Sequence, residues 1–79
     1  MIPVVLDLGA EESLEFATVL RWLVSEGDRV TASQTVVEVE AEKVSYEIEA
    51  PAAGVLAEVI AVAGDEVRVG STLAMIEEG

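Results

Sequence analysis

The sequence contains no cysteine and no histidine. A disulfide is therefore excluded, and so are the usual zinc and iron sites, which draw on those two residues. Basic residues are scarce: 4 Lys and Arg stand against 16 Asp and Glu, for a net charge of −12. Nucleic acid and anionic membrane surfaces both require a basic face, so neither is an expected partner. Aromatics are limited to one Phe, one Tyr and one Trp. No apolar run approaches the roughly 20 residues that cross a bilayer as a helix. Met1-Ile2-Pro3 leads directly into a short alternating run, with no leader-like segment. A soluble intracellular domain is expected.

What remains is a valine-rich chain of 79 residues, 52% hydrophobic, which is enough for one domain, residues 1–79. Valine favours strands. Residues 3–8 read as a first strand, with Val4, Leu6 and Leu8 on one face and Pro3 at an unpaired edge. Gly9 to Glu15 is polar and turn-like, and a short helix over Glu11–Phe16 is a weaker alternative to a loop. Phe16 to Ser25 reads as the second strand, with Phe16, Thr18, Leu20, Trp22 and Val24 sharing a face. Val36–Ala41 and Val44–Ala50 alternate, Val55–Val62 is a further strand, and Leu73–Glu77 is the last. Short, evenly spaced strands without a long helical pattern predict an all-β fold.

The chain also repeats itself. Gly27-Asp28-Arg29-Val30 matches Gly64-Asp65-Glu66-Val67, and the pattern that follows keeps its register into Val37-Glu38-Val39-Glu40 and Ala74-Met75-Ile76-Glu77. Two similar halves predict a flattened β-barrel or sandwich of two four-stranded antiparallel sheets with quasi-two-fold symmetry. The two copies end differently, since the first runs into Glu42-Lys43 and turns back. The lysine turn and the chain termini should then lie at opposite ends of the sandwich.

Lys43 is the only lysine. Side chains alternate along a strand, so Val37, Val39 and Ala41 before the turn match Val44, Tyr46 and Ile48 after it only if Ala41 pairs with Val44. Glu42 and Lys43 then occupy the two central turn positions. Glu-Lys is not the Asn-Gly type of pair that mirror-image hairpin turns prefer, so a type I turn with negative φ is expected. In this register Glu38 faces Glu47 and Glu40 faces Ser45. An ordinary surface lysine would pair with Glu40 or Glu42 to little energetic effect. A sole lysine at the tip of a register-defined hairpin is instead suited to presenting an amine on a long flexible stem.

These residues resemble the lipoyl domains of the dihydrolipoamide acyltransferases of 2-oxo acid dehydrogenase complexes. The resemblance rests on Glu42-Lys43-Val44 within the Val37–Val44 run, on Trp22-Leu23 followed by Gly27-Asp28, on Pro51-Ala52-Ala53-Gly54-Val55-Leu56, and on Gly64-Asp65-Glu66-Val67-Arg68-Val69-Gly70. It covers nearly the whole chain. The chain departs from the family in having Glu42 where Asp is usual and Ser33 where the first repeat often has Gly.

The resemblance implies lipoic acid covalently attached to Lys43, with Glu42, Val44 and Glu40 contributing to recognition by a lipoate ligase or lipoyl transferase. It further implies a carrier that serves a thiamine-dependent 2-oxo acid decarboxylase, an acyltransferase catalytic domain and dihydrolipoamide dehydrogenase. The compartment would be the bacterial or archaeal cytoplasm, or the mitochondrial matrix after removal of a transit peptide. Biotin carrier domains share the fold and typically set their lysine between methionines; here Met1 and Met75 lie elsewhere, which favours lipoate. The third reading is an unmodified β-barrel interaction module. No catalytic residue is expected, since no nucleophile stands out with an adjacent base and the carboxylates single out no acid–base pair. The domain is expected to be no enzyme by itself.

Overall fold

The structure is a computed structural model that describes residues 1–9 and 14–78. Its strands are β1 (Ile2–Val5), β2 (Phe16–Trp22), β3 (Arg29–Val30), β4 (Thr35–Ala41), β5 (Val44–Glu49), β6 (Gly54–Val59), β7 (Glu66–Arg68) and β8 (Thr72–Glu77). They form two four-stranded sheets, ordered β1-β8-β6-β3 and β5-β4-β2-β7. Every pairing is antiparallel. The expected two-sheet sandwich is therefore the fold.

The core lies between the sheets and is purely apolar. Val4, Val36, Val37, Val39, Leu56, Leu73, Ala74 and Ile76 are fully buried, and no polar or charged residue among those described is buried. Small branched side chains suit this thin space, because they stand off a pleated sheet with little rotamer freedom to lose.

The internal repeat is visible as paired hydrogen bonds. The Gly27 amide donates to Leu56 O and the Gly64 amide donates to Val19 O, both at 2.8 Å. The Ser25 amide donates to Asp28 Oδ2 at 2.9 Å, and the Val62 amide to Asp65 Oδ2 at 3.0 Å. The Leu23 amide donates to Val36 O at 2.8 Å, and the Ile60 amide to Leu73 O at 2.9 Å. Each of these couples, like Gly27 and Gly64 themselves, is related by the same offset of 37 residues (64 less 27). Both glycines take left-handed backbone, at φ 94° and 95°, which is open to glycine without a steric penalty. Each aspartate closes its turn by accepting a backbone proton that would otherwise face only solvent.

The symmetry exposes one unrelieved position. Gly70 sits at φ 97°, and its counterpart Ser33 takes φ 69°. Left-handed backbone disfavours a residue with a Cβ by roughly 1–2 kcal/mol, offset in part by the greater chain entropy that glycine loses on folding. Ser33→Gly is expected to raise stability by about 0.5–1 kcal/mol, measured by urea unfolding. A midpoint at or below that of the parent would contradict the strain argument.

Several strand expectations are corrected. The face of β2 that includes Phe16, Thr18 and Leu20 is not the core face: Ala17 and Val19 are buried, whereas Phe16 and Leu20 are 43% and 40% exposed. A register shift between Val19 and Arg21 resets the alternation, so Trp22 and Val24 return to pack against the core. A second shift between Thr35 and Val37 buries Val36 and Val37 together, where simple alternation would have turned Val36 outward. β1 stops at Val5, although Leu6 and Leu8 stay buried. β2 and β6 likewise stop at Trp22 and Val59, before the two crossovers. Of the alternative helix over Glu11–Phe16, the first half lies outside the described residues; Leu14 and Glu15 have no regular structure and Phe16 opens β2.

Candidate functional site

The site is built by the β4–β5 hairpin. Ala41 pairs with Val44, Glu40 with Ser45, Val39 with Tyr46 and Glu38 with Glu47. This is the register that places Glu42 and Lys43 at the centre of a two-residue turn. The turn's hand differs from expectation. Glu42 and Lys43 have φ of 51° and 67°, so both are left-handed and the turn is the mirror-image type I′. The twist of a two-residue hairpin explains it: a type I turn splays right-twisted strands, and type I′ matches them. Here register and twist overrule residue preference, at roughly 1–2 kcal/mol for each of the two residues. Backbone strain of this kind is concentrated at functional sites.

Both turn residues are exposed. Among the described residues Lys43 makes no ion pair with Glu40 or Glu42. Val44 shares its face with Ala41, but Ala41 is 4% exposed and Val44 is 51% exposed. The inward placement expected for Val44 is therefore corrected. β5 is an edge strand, and its first residue has a strand neighbour on one side only. Glu40 is exposed on the outer face between Ser45 and Thr18. The four expected residues thus come together at one tip, with Lys43 and Val44 projecting and Glu42 and Glu40 supplying negative charge.

The outer face behind the tip carries the like-charge pair Glu38 and Glu47. Its cation is Arg21, whose Nε lies 2.6 Å from Glu38 Oε1. That hydrogen bond, and then the carboxylate's charge, raises the Arg21 pKa above its ordinary value. Trp22 packs against the core and donates from Nε1 to Ala61 O at 2.7 Å. It ties the end of β2 to the β6–β7 crossover. Among the described residues no cluster of potential metal ligands occurs.

The strand order separates the turn from the far end of β8. Glu42 lies beside Leu14, Glu15 and Phe16 in one shallow cleft. From Phe16 the chain runs along β2 into β3, where Arg29 pairs with Val55, and Val55 is itself opposite Glu77. The whole length of β2 and its crossover therefore intervenes between the Lys43 turn and Glu77. One feature of the tip was missed: Phe16, expected only to share a face with Trp22, is an exposed aromatic beside Glu42. The signal was available in the repeat, because the residue that corresponds to Phe16 is Ala53.

A small two-sheet barrel that displays a single lysine at a tight turn defines a class of attachment domain, in which the scaffold holds one amine away from the core. The model of the family described as "Biotin-requiring enzyme", which joins biotin and lipoyl attachment domains, matches residues 9–76, and the chain belongs to that family. Its relatives lie on the lipoyl side. The chain is 41% identical over 68 residues to the dihydrolipoyllysine-residue succinyltransferase component of the 2-oxoglutarate dehydrogenase complex of Staphylococcus saprophyticus, covering 86% of this chain and 16% of that protein. It is 35% identical over 71 residues to the dihydrolipoyllysine-residue acetyltransferase component of the pyruvate dehydrogenase complex of Haemophilus influenzae, covering 90% of this chain and 12% of that one. Among solved structures, the lipoyl domain of the 2-oxoglutarate dehydrogenase complex from Azotobacter vinelandii superposes with a TM-score of 0.74 at 32% identity, over 96% of this chain and 98% of that chain. The match to the acyltransferase components is thus confined to a small part of their length, and the match to the isolated lipoyl domain is end to end.

Proposed function

We propose that the chain is a carrier domain, spanning residues 1–79, whose Lys43 Nζ holds lipoate in amide linkage. The observation that carries the reading is the exposed sole lysine held on a strained type I′ turn, in a domain that resembles a lipoyl domain over 96% of its length. The residues present fit the group. A primary amine on a four-carbon stem forms an amide with a carboxylic acid, and the exposed turn leaves that amine open to a modifying enzyme. When bound, lipoate supplies a dithiolane that accepts acyl groups and electrons.

The chain's own residues hold and present. The paired strands fix the backbone on both sides of the turn, so motion is left to the lysine side chain. Glu42, Val44 and Glu40 give the modifying enzyme a surface of two carboxylates and one apolar side chain around the amine. Among the described residues, none at the tip is arranged as a nucleophile with a base. The partners that follow are a lipoate ligase or lipoyl transferase, a thiamine-dependent 2-oxo acid decarboxylase, an acyltransferase catalytic domain and dihydrolipoamide dehydrogenase. Between these the domain contributes effective concentration, because a tethered carrier meets each active site as an intramolecular partner.

Biotin is the competing cargo within the same family. The neighbours of Lys43 are Glu42 and Val44, with no adjacent methionine, and the similar proteins are named for dihydrolipoyllysine. Co-expression with a lipoate ligase and, separately, with a biotin ligase tests the choice by intact mass. The expected result is a single lipoyl increment from the first and none from the second. A biotinyl increment alone would transfer the domain to carboxylases, and no increment with ligases competent on other domains would leave an unmodified interaction module.

A further inference from the structure

The strand that starts beside the Lys43 turn carries a side chain that the scaffold itself does not require. Phe16 is 43% exposed. It lines the shallow cleft completed by Leu14, Glu15 and Glu42, so one wall of that cleft is the residue immediately before Lys43. From the paired position on β7, the Arg68 guanidinium carbon lies 5.0 Å from the centre of the Phe16 ring. Cation–π attraction at this distance steadies the ring.

The quasi-two-fold repeat supplies an internal control. The pairs Phe16–Arg68 and Ala17–Val67 correspond by the same offset to Ala53–Thr31 and Gly54–Val30, and the second of these pairs is formed in β3–β6. The far half of the domain thus builds the equivalent of this strand pair with alanine and threonine. A benzyl side chain stacked under a guanidinium is present only at the lysine end. Leaving an aromatic ring partly in water forgoes the gain from burying it, and this ring shares its cleft with the residue that precedes Lys43.

We infer that Phe16, braced by Arg68 and floored by the buried Leu14, is a resting platform for the group carried on Lys43. This rests on the lipoate reading of the turn. The ligand class is an unbranched acyl chain of medium length that ends in a cyclic disulfide. The chain is apolar and covers the ring, and a disulfide sulfur makes favourable contacts with an aromatic edge or face. The carried group is held by its own tether, so even a weak contact is populated. Between visits to partner enzymes the platform shelters the disulfide from adventitious thiols, and a partner's active site competes the group away.

The test uses the intact lipoylated domain. Intact mass first establishes loading; a chain that takes no lipoyl increment from a competent ligase overturns the attachment reading and the platform with it. For the loaded domain, the pseudo-first-order rate of dithiolane reduction by neutral dithiothreitol is compared between the parent and Phe16→Ala. The expected result is reduction about threefold faster in Phe16→Ala, the scale of one sulfur–aromatic contact. Nuclear Overhauser contacts between the Phe16 ring protons and the alkyl or dithiolane protons of the loaded parent give a second reading that needs no variant. Full loading with equal reduction rates and no such contacts would overturn the platform while leaving the lipoate reading intact.

Discussion

Lys43→Arg is expected to abolish covalent loading completely while leaving thermal unfolding unchanged. Amide formation needs a neutral amine at the moment of attack. A guanidinium is delocalised and remains protonated at any working pH, so it does not substitute for the ε-amine. The fold has no stake in the difference. Lys43 is exposed and makes no ion pair among the described residues, and arginine has the same Cβ and meets the same left-handed backbone at φ 67°. With one lysine in the chain, no second ε-amine is available to take the cofactor. Intact mass after co-expression with a lipoate ligase measures the loss, and a melting curve measures the fold. A residual adduct on the arginine variant would place attachment at the N-terminus. Loss of loading with a large drop in melting temperature would mean that Lys43 is structural.

Gly54→Ala is expected to be the most damaging small substitution in the scaffold. Gly54 is buried at the start of β6, and a Cβ there would lie 2.4 Å from Glu77 O, 3.0 Å from Glu77 C and 2.8 Å from Ile76 Cγ2. The closest of these atoms is a backbone carbonyl oxygen, which does not swing aside. The strand that would have to move is β8, the centre of its sheet, paired on one side with β6 and on the other with β1. Overpacking against backbone costs about 3 kcal/mol. For a domain of this size that corresponds to a fall of roughly 15 °C in melting temperature. Truncating Ile76 as well would not rescue the variant, because the carbonyl contact remains. A Gly54→Ala variant within about 2 °C of the parent would show that β6 and β8 are less closely apposed than they are here, since that shift is under 1 kcal/mol.

The two substitutions separate the jobs of the chain. In the proposed carrier, position 43 serves the cargo and leaves the sandwich alone, whereas position 54 serves the sandwich at the end away from the lysine turn. A chain with only 4 basic residues has one ε-amine to offer, and its scaffold keeps that amine at the far side of β2 from Glu77.

Much of this was legible in the residues themselves. The alternation on either side of Glu42-Lys43 determined the pairing of Ala41 with Val44, because a shift of one residue on either strand would have turned a whole apolar row into water. The Gly-Asp repeat determined the two-fold arrangement, since each copy closes the same turn with the same aspartate contact. The single lysine, the missing cysteine and histidine, and the excess of carboxylates settled which residue had an amine to present and which metal sites were excluded.

Tertiary structure decided the rest, at places where a local rule was outweighed. Strand twist made the lysine turn type I′, against the preference of glutamate and lysine for negative φ. The second sheet covered the Ala17 and Val19 face of β2 and left Phe16 outside, and a bulge after Val19 brought Trp22 back towards the core, because one extra residue reverses the facing of everything beyond it. The edge position of β5 left Val44 uncovered beside the amine. Periodicity reports which residues share a face of a strand. Which face is covered, and how far that cover extends towards the tip, depends on the second sheet.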